Sequence, residues 1–515
     1  MRVDQITIET EPVTAKTKEV HIKIITNPQE TRPVILLRPS EGLYSKVFRP
    51  WIPLSLLAAA AKLDQAGYSI TLIDQRISGD WKSELRDALS RHPICVGVTS
   101  MTGSQITHAL EMSAFVKQHS SVPVVWGGVH ATLFPLQTVE HPLIDIVVKG
   151  EGEETFLQLV SCLERGKLLR DVEGVVYKDR GKIFNNPDRP FLDLNALPPV
   201  PYHLVDVNRY LHRYFNEDRV LEFETSRGCP FECTFCYNPI YSQRRWRAWD
   251  ASRVLENMTP LVETCGVKAF HFVDDGFFID HGRVREIMNG ILDRRWSIKM
   301  GFQGSRIDTF DQLKEEDLKL MIRAGGTFLQ VGVESGSPRI LEILNKQIHP
   351  DQVLAFNRRL SRYPRLNVYY NFMCGFPTET REDVLQTASL AWSLLRDNPH
   401  ALISAFHFYK PYPGTSLREC ILHKDDVTPS TLEGWGEFNW TQYIGRDQDV
   451  ATRTLMEKIE TVSILADRKM KYQSDSIAMR ALAAIYRPVA RYRLKHHRYA
   501  WMPEHRLRQW LGNRT

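Results

Sequence analysis

The sequence predicts two α/β domains in series. A doubly wound, Rossmann-like domain comes first, then a partial (β/α)6 barrel of the TIM type, then a mainly helical C-terminal segment. Three observations predict this. Apolar strand-like runs alternate with amphipathic helical stretches from residue 33 to about 168. The alternation restarts at residue 220 and repeats six times, to about 420. Between them lies Leu197-Pro198-Pro199-Val200-Pro201, a stretch of the kind that joins domains. At 515 residues the chain exceeds one typical domain, and 43% hydrophobic with 25% charged residues is an ordinary globular composition. A net charge of +5 is small for this length and makes no case for nucleic-acid binding.

In the first domain, taken as residues 1–168 with its polar N-terminal extension, strands are expected at Val34–Leu37, Ser69–Ile73, Ile94–Thr99, Pro123–Trp126 and Ile144–Val148. Helices are expected at Leu54–Leu63, closed by Gly67, at Trp81–Leu89, at Ser104–Lys117 and after Gly150-Glu151-Gly152. Apolar strands between such helices make a parallel sheet, and ligands then bind beyond the strands' carboxyl ends. Those ends carry Arg76, then Ser100 and Thr102, then Gly127, Gly128 and His130, then Gly150 and Glu151. Paired glycines let a bulky ligand approach the backbone. No G-x-G-x-x-G follows the first strand, so a nicotinamide or flavin dinucleotide has no support. Residues 169–219 read as a small hairpin and a linker.

In the second domain, residues 220–420, strands are expected at Val220–Thr225, Val267–Val273, Ser297–Gln303, Phe328–Val333, Asn367–Met373 and Leu402–Phe408. Their carboxyl ends form one rim. That rim supplies Asp274 and Asp275, Arg306, Glu334 and Ser335, and Gly375 and Phe376. A lone acidic strand end is usually a cap or a solvated turn. Carboxylates, an arginine and glycines on one rim instead suit a zwitterionic, ribose-bearing ligand.

The first strand of this domain leads to Gly228-Cys229-Pro230-Phe231-Glu232-Cys233-Thr234-Phe235-Cys236-Tyr237. The spacing C-x3-C-x2-C places three thiolates on one loop. They can hold three irons of a [4Fe-4S] cluster and leave the fourth open for a small molecule. A structural zinc site wants four ligands, and no fourth cysteine lies nearby. The chain's eight scattered cysteines and the absence of a signal-peptide pattern argue against disulfides and for a reducing, cytoplasmic setting.

These residues closely resemble the radical S-adenosylmethionine (SAM) superfamily, and more narrowly its cobalamin-binding branch, over residues from about 33 to 420. The resemblance implies that Cys229, Cys233 and Cys236 hold the cluster and that the open iron takes the amino and carboxylate groups of SAM. It implies that the backbone of Tyr237 addresses adenine, that Asp274 and Asp275 face the methionyl amine, and that Arg306 approaches the carboxylate. Glu334 and Ser335 would meet the ribose or methionyl part, and Gly375 and Phe376 the adenine. Cobalamin would sit on the first domain's rim. The B12 pattern D-x-H-x-x-G is altered, because Asp74-Gln75-Arg76-Ile77-Ser78-Gly79 has Arg76 where a histidine would stand. Arginine is a poor cobalt ligand, so no lower imidazole is expected. His130 reads first as a hydrogen-bonded loop residue.

The implied activity is C-methyl transfer from SAM through methylcobalamin to an unactivated carbon of a small organic substrate. A second SAM would be cleaved to a 5'-deoxyadenosyl radical by an electron from a donor such as flavodoxin or ferredoxin. Alternatives are an oxidative cyclase or ring-rearranging enzyme, non-radical methylation of an aromatic carbon, and an iron–sulfur carrier without catalysis. In residues 421–515, Trp435 and Trp440 read either as a lid over the substrate or as packing against the barrel's open side. The basic stretch from Arg487 to Thr515 reads as a solvated tail rather than a membrane contact. No apolar run is long enough to span a bilayer.

Overall fold

The computed structural model describes residues 32–42, 50–214, 217–412, 414–421, 429–438, 449–469 and 477–506. The polar N-terminal extension and Trp440 lie outside the described residues.

The first sheet contains β1 (Val34–Arg38), β2 (Ile70–Asp74), β3 (Val96–Thr99), β4 (Val124–Gly127), β5 (Ile146–Val148), β6 (Val175–Asp179) and β7 (Lys182–Asn185). Its order is β2-β1-β3-β4-β5-β6-β7. The first five strands pair in parallel, as expected of fully buried Val/Ile/Leu runs. The Val175–Asn185 hairpin does not stand apart. It adds two antiparallel strands to the edge of β5, so the sheet is mixed and the first domain extends past residue 168. Helices Leu54–Gln65 and Gly152–Glu164 cover one face through Leu56, Ala60, Phe156 and Leu159. Helices Trp81–Leu89 and Ser104–His119 cover the other through Leu85, Ile106 and Phe115.

The barrel contains β8 (His212–Tyr214), β9 (Glu217–Phe223), the short ribbon β10 (Ser226–Arg227) with β11 (Arg247–Ala248), then β12 (Ala269–Phe272), β13 (Lys299–Ser305), β14 (Gly326–Glu334), β15 (Asn367–Cys374) and β16 (Ala401–Phe408). The large sheet runs β16-β15-β14-β13-β12-β9-β8. All six expected strands are present and parallel, and β8 adds antiparallel to β9. The terminal strands β8 and β16 are not partners, so the barrel is partial. Leu221, Phe223, Phe270 and Phe272 point outward, into the core shared with Val254, Met258 and Ile287 of the surrounding helices. The residues between them therefore face the barrel interior.

Trp435 corrects both sequence readings of that aromatic. The short helix Leu432–Gly436 packs on the first domain, not on the barrel. Its indole is fully buried and donates to Gln137 Oε1 at 2.8 Å. A large apolar ring gains most where it is removed from water, and the face of the Ser104–His119 helix offers that burial. Helix Val450–Leu465 instead flanks β16, through Met456, Ile459 and Val462.

Candidate functional site

The cysteine loop is held by its backbone. Gly228, at φ +81, starts it, and a Cβ there would lie 2.2 Å from the Arg245 carbonyl, so only glycine fits. Thr234 donates from N to Leu344 O at 3.0 Å and from Oγ1 to Ile343 O at 2.9 Å. Leu417 N donates back to Thr234 O at 2.9 Å. The loop is thus pinned by chain that follows β14 and β16. Cys233 is buried, and Cys229 and Cys236 are half-buried. Burial pushes the Cys236 thiol up to about 12 and the Cys229 thiol upward. Among the described residues no three His, Cys, Asp or Glu side chains converge on one metal ion. A structural zinc site wants four ligands, whereas three thiolates suffice for three irons of a cubane. The three thiols on one rigid loop fit the cluster.

Arg306 sits over this loop. Its Nη1 is 3.2 Å from Cys233 Sγ, and its guanidinium lies 3.8 Å over the Phe231 ring. Nη2 donates to Asp308 Oδ2 and to Lys346 O, both at 2.7 Å. Glu334 ends β14 at φ +70, a strained conformation for a non-glycine residue. It pairs with the buried Lys346 Nζ at 2.8 Å. A Cβ at Gly332 would come 2.4 Å from Glu334 Oε1, so Gly332 makes the room this pair occupies. Lys346 is a missed member of the site. It lies off the strand ends, and only the fold brings it to Glu334.

Asp274 and Asp275 separate in role. Asp274 is buried and accepts at Oδ1 from Thr225 N at 3.1 Å, Thr225 Oγ1 at 2.7 Å and Ser226 Oγ at 2.5 Å. Burial pushes it up to about 6. It ties β12 to the turn before the cysteines. Asp275 lines the cavity described below, and burial raises its carboxyl against hydrogen bonds from Asn238 and the Gly228 amide. Ser335 Oγ meets Thr387 Oγ1 at 3.1 Å. The amides of Gly375 and Phe376 both donate to Glu379 Oε2, at 2.6 and 3.2 Å, and the Phe376 ring is buried with Ile340, Tyr409 and Leu417. Tyr237 lines the cavity.

A cavity of about 410 Å3 opens between the two domains. The first domain contributes Gly97, Thr99, Gly127, Gly128, Gly150, Glu151 and Gly152, and the barrel contributes Glu224, Arg227, Gly228, Tyr237 and Asp275. The glycines stand among apolar residues such as Leu36, Val125, Val148 and Phe156, and they let a large planar ligand such as a corrin approach the backbone of that wall. Gly128, at φ +95, has no room for a Cβ, which would lie 2.6 Å from Ser100 O. Gly128→Val should therefore lower the melting temperature and abolish retention of hydroxocobalamin on gel filtration. Strain of this kind costs roughly 1–3 kcal/mol. Retention at the wild-type level would contradict the placement.

The other rim residues stand differently. Ser100 Oγ donates to Gly127 O at 2.9 Å, and Thr102 Oγ1 meets His130 Nδ1 at 3.0 Å. His130 is buried against Phe134 and Trp435, with ring centroids 5.5 and 5.6 Å away, and burial pushes it down to about 4. It does not line the cavity. Arg76 clasps Asp74 at 2.9 and 2.6 Å and donates to Trp51 O at 2.8 Å. It too lies outside the cavity lining.

Glu151 joins the domains. It accepts from Arg247 at 2.8 Å, from Arg227 at 3.2 Å and from Leu192 N at 3.1 Å. Arg227 also reaches Glu153 at 2.7 Å and Glu224 at 2.9 Å. Arg247 lies 4.4 Å over the Phe191 ring. Arg227 and Arg247 were not legible in the sequence, where Arg227 is only the residue before the cysteine motif.

Below the rim, Glu222 and His271 are register partners facing the barrel interior. Both are buried, and neither His271 ring nitrogen has a partner. His212 Nε2 is 3.3 Å from Glu222 Oε1, and the rings of Tyr214 and Trp51 flank His271 at 4.6 and 5.6 Å. Burial pushes Glu222 up from 4.5 to about 8, against the Ile52 amide and Arg76. A carboxyl raised by folding contributes full stability below its unfolded pKa, and that stability is lost as pH rises through the folded pKa. The Glu222 contribution to stability, read in the melting temperature, should fall between pH 4.5 and about 8. Glu222→Gln should flatten that fall, by an amount on the order of a few kcal/mol. An unchanged profile would remove Glu222 as its source.

Residues 223–391 match the radical SAM superfamily, and residues 42–160 match the B12 binding domain. The chain is 33% identical over 394 residues to an uncharacterized methyltransferase of Pyrococcus horikoshii, covering 75% of this chain and 82% of that protein. It is 26% identical over 396 residues to the anaerobic magnesium-protoporphyrin IX monomethyl ester cyclase of Rubrivivax gelatinosus, covering 73% and 67%. In fold it is similar to the cobalamin-dependent SAM radical enzyme OxsB, with a TM-score of 0.73 at 18% identity over 94% of this chain and 75% of that one. The cysteine loop, the glycine-walled cavity and these likenesses agree: the chain belongs to the radical SAM superfamily, in the branch that carries a cobalamin-binding domain.

Proposed function

We propose that this enzyme remodels an unactivated carbon of a small organic substrate by radical chemistry. One observation carries the reading. A single cavity is walled on one side by the first domain's glycines and on the other by the residues that begin and follow the cysteine loop, Gly228 and Tyr237. Cys229, Cys233 and Cys236 would hold the cluster, with Arg306 fixing charge beside Cys233. Glu334, Lys346 and Asp275 would orient SAM, and Gly127, Gly128 and Gly150 would seat cobalamin. When bound, the cluster supplies the electron that cleaves SAM, and cobalamin supplies a methyl carrier or a one-electron partner. The electron would come from a small donor of the flavodoxin or ferredoxin type.

Two outcomes share these pockets. Methyl transfer is supported by the name of the Pyrococcus relative. Oxidative ring formation or rearrangement is supported by the cyclase relative. The test incubates reconstituted enzyme with candidate substrates and methyl-deuterated SAM. Product carrying one labelled methyl, with both S-adenosylhomocysteine and 5'-deoxyadenosine formed, establishes the methyltransferase. Unlabelled product short of two hydrogens, with 5'-deoxyadenosine, establishes the oxidative reaction. Labelled product without 5'-deoxyadenosine establishes non-radical methylation.

A further inference from the structure

The longest helix among the described residues, Ile477–His496, is mounted on the barrel by one side only. Ala490 and Leu494 enter the barrel core, and Arg487 and Arg491 donate to the carbonyls of Asp467 and Ala466 at 2.8 and 2.9 Å. The opposite side is apolar and open. Ile477, Leu482, Ile485, Val489 and Tyr492 are 76, 54, 77, 42 and 56% exposed. From Leu482 onward they are spaced by three and four residues, which aligns them in one stripe. Trp501, in the turn that follows, is 71% exposed. Single exposed apolar side chains are ordinary, but a row of this length marks a contact surface.

Charge decides the occupant. Residues 477–503 contain no Asp or Glu, yet carry Arg480, Arg487, Arg491, Arg493, Lys495 and Arg498. At about 100° per residue Lys495 flanks the stripe, and it and Arg498 are exposed, whereas Arg487 and Arg491 are turned to the barrel and Arg493 donates to the carbonyls of Arg498 and Trp501. Glu504, the next acid, is paired with Arg493 at 2.9 Å. A second copy of this helix would bring cations against cations with no acid between them. The helix is not long and apolar enough to cross a membrane. We propose that this face docks on an anionic lipid bilayer surface. The apolar stripe and Trp501 would enter the headgroup boundary, and Lys495 and Arg498 would meet lipid phosphates. The sequence alone pointed to a solvated tail, because only the fold shows which side of the helix is left open.

The test is co-sedimentation of the full-length protein with vesicles of phosphatidylglycerol mixed with phosphatidylcholine, against phosphatidylcholine alone. Binding should favour the anionic vesicles by about tenfold or more and weaken as salt is raised. Ile485→Glu with Val489→Glu should lower vesicle binding by about tenfold at an unchanged melting temperature, since both positions are exposed. Lys495→Glu with Arg498→Glu should remove the preference for anionic lipid. No sedimentation with anionic vesicles, or binding indifferent to both double variants, would overturn the proposal. So would a dimer in light scattering that Ile485→Glu with Val489→Glu splits, which would assign the face to a second copy.

Discussion

Replacing Cys229, Cys233 or Cys236 by alanine, singly, is expected to empty the site of iron and to abolish SAM cleavage. Each thiolate would be the only protein ligand to its iron, so each loss would expose a cluster edge. The variants should remain folded, because the loop is pinned through Gly228, Thr234 and Leu417 and not through sulfur. Cobalamin retention should be unchanged, because none of the three cysteines lines the cavity. Iron content with SAM cleavage reads the first effect, and the cobalamin spectrum after gel filtration reads the second. A variant that keeps both iron and cleavage would remove that cysteine from the site.

The next largest effect is expected at Arg227. Its guanidinium stands among Glu151, Glu153 and Glu224, and their charges hold its proton firmly against burial. Arg227→Met leaves Glu153 buried without its cation, a change worth about 3–5 kcal/mol. Glu151 belongs to the first domain and Arg227 leads directly into the cysteine loop, so the loss should loosen the seam and weaken cobalamin retention with it. Thermal unfolding and cobalamin retention should fall together. Arg227→Lys should recover part of the stability, since it restores the charge without the fork that reaches three partners. A melting temperature within a degree or so of wild type would mean that this charge cluster adds nothing to the seam.

Most of the architecture was legible because the strands are buried on both faces and read as apolar runs, such as Val34–Leu37 and Phe270–Phe272 with their neighbours. The Val175–Asn185 hairpin was legible as a hairpin. Its attachment to β5, through β6, was not, because an apolar run such as Val175–Tyr177 does not say which sheet edge it joins. The cysteine loop was legible because its ligands are local in sequence. Lys346, Arg247 and Glu379 were not, because each reaches the site from a different part of the chain and is an ordinary surface residue type. Asp274 and Asp275 lie past the end of β12, and the loop, not a strand repeat, turns one to Thr225 and Ser226 and the other to the cavity. Phe376 shows the opposite limit. An apolar residue beside a strand-end glycine suits either a ligand or a core, and here it fills the cluster around Ile340 and Tyr409.

The open iron is the centre of this account, and electron paramagnetic resonance of the reduced, anaerobically reconstituted protein with and without SAM tests it most directly. About four irons per chain and a reduced-cubane signal that changes when SAM is added are expected, because SAM would bind the iron that no cysteine holds. A single zinc per chain, or a cluster signal that SAM leaves unaltered, would contradict it.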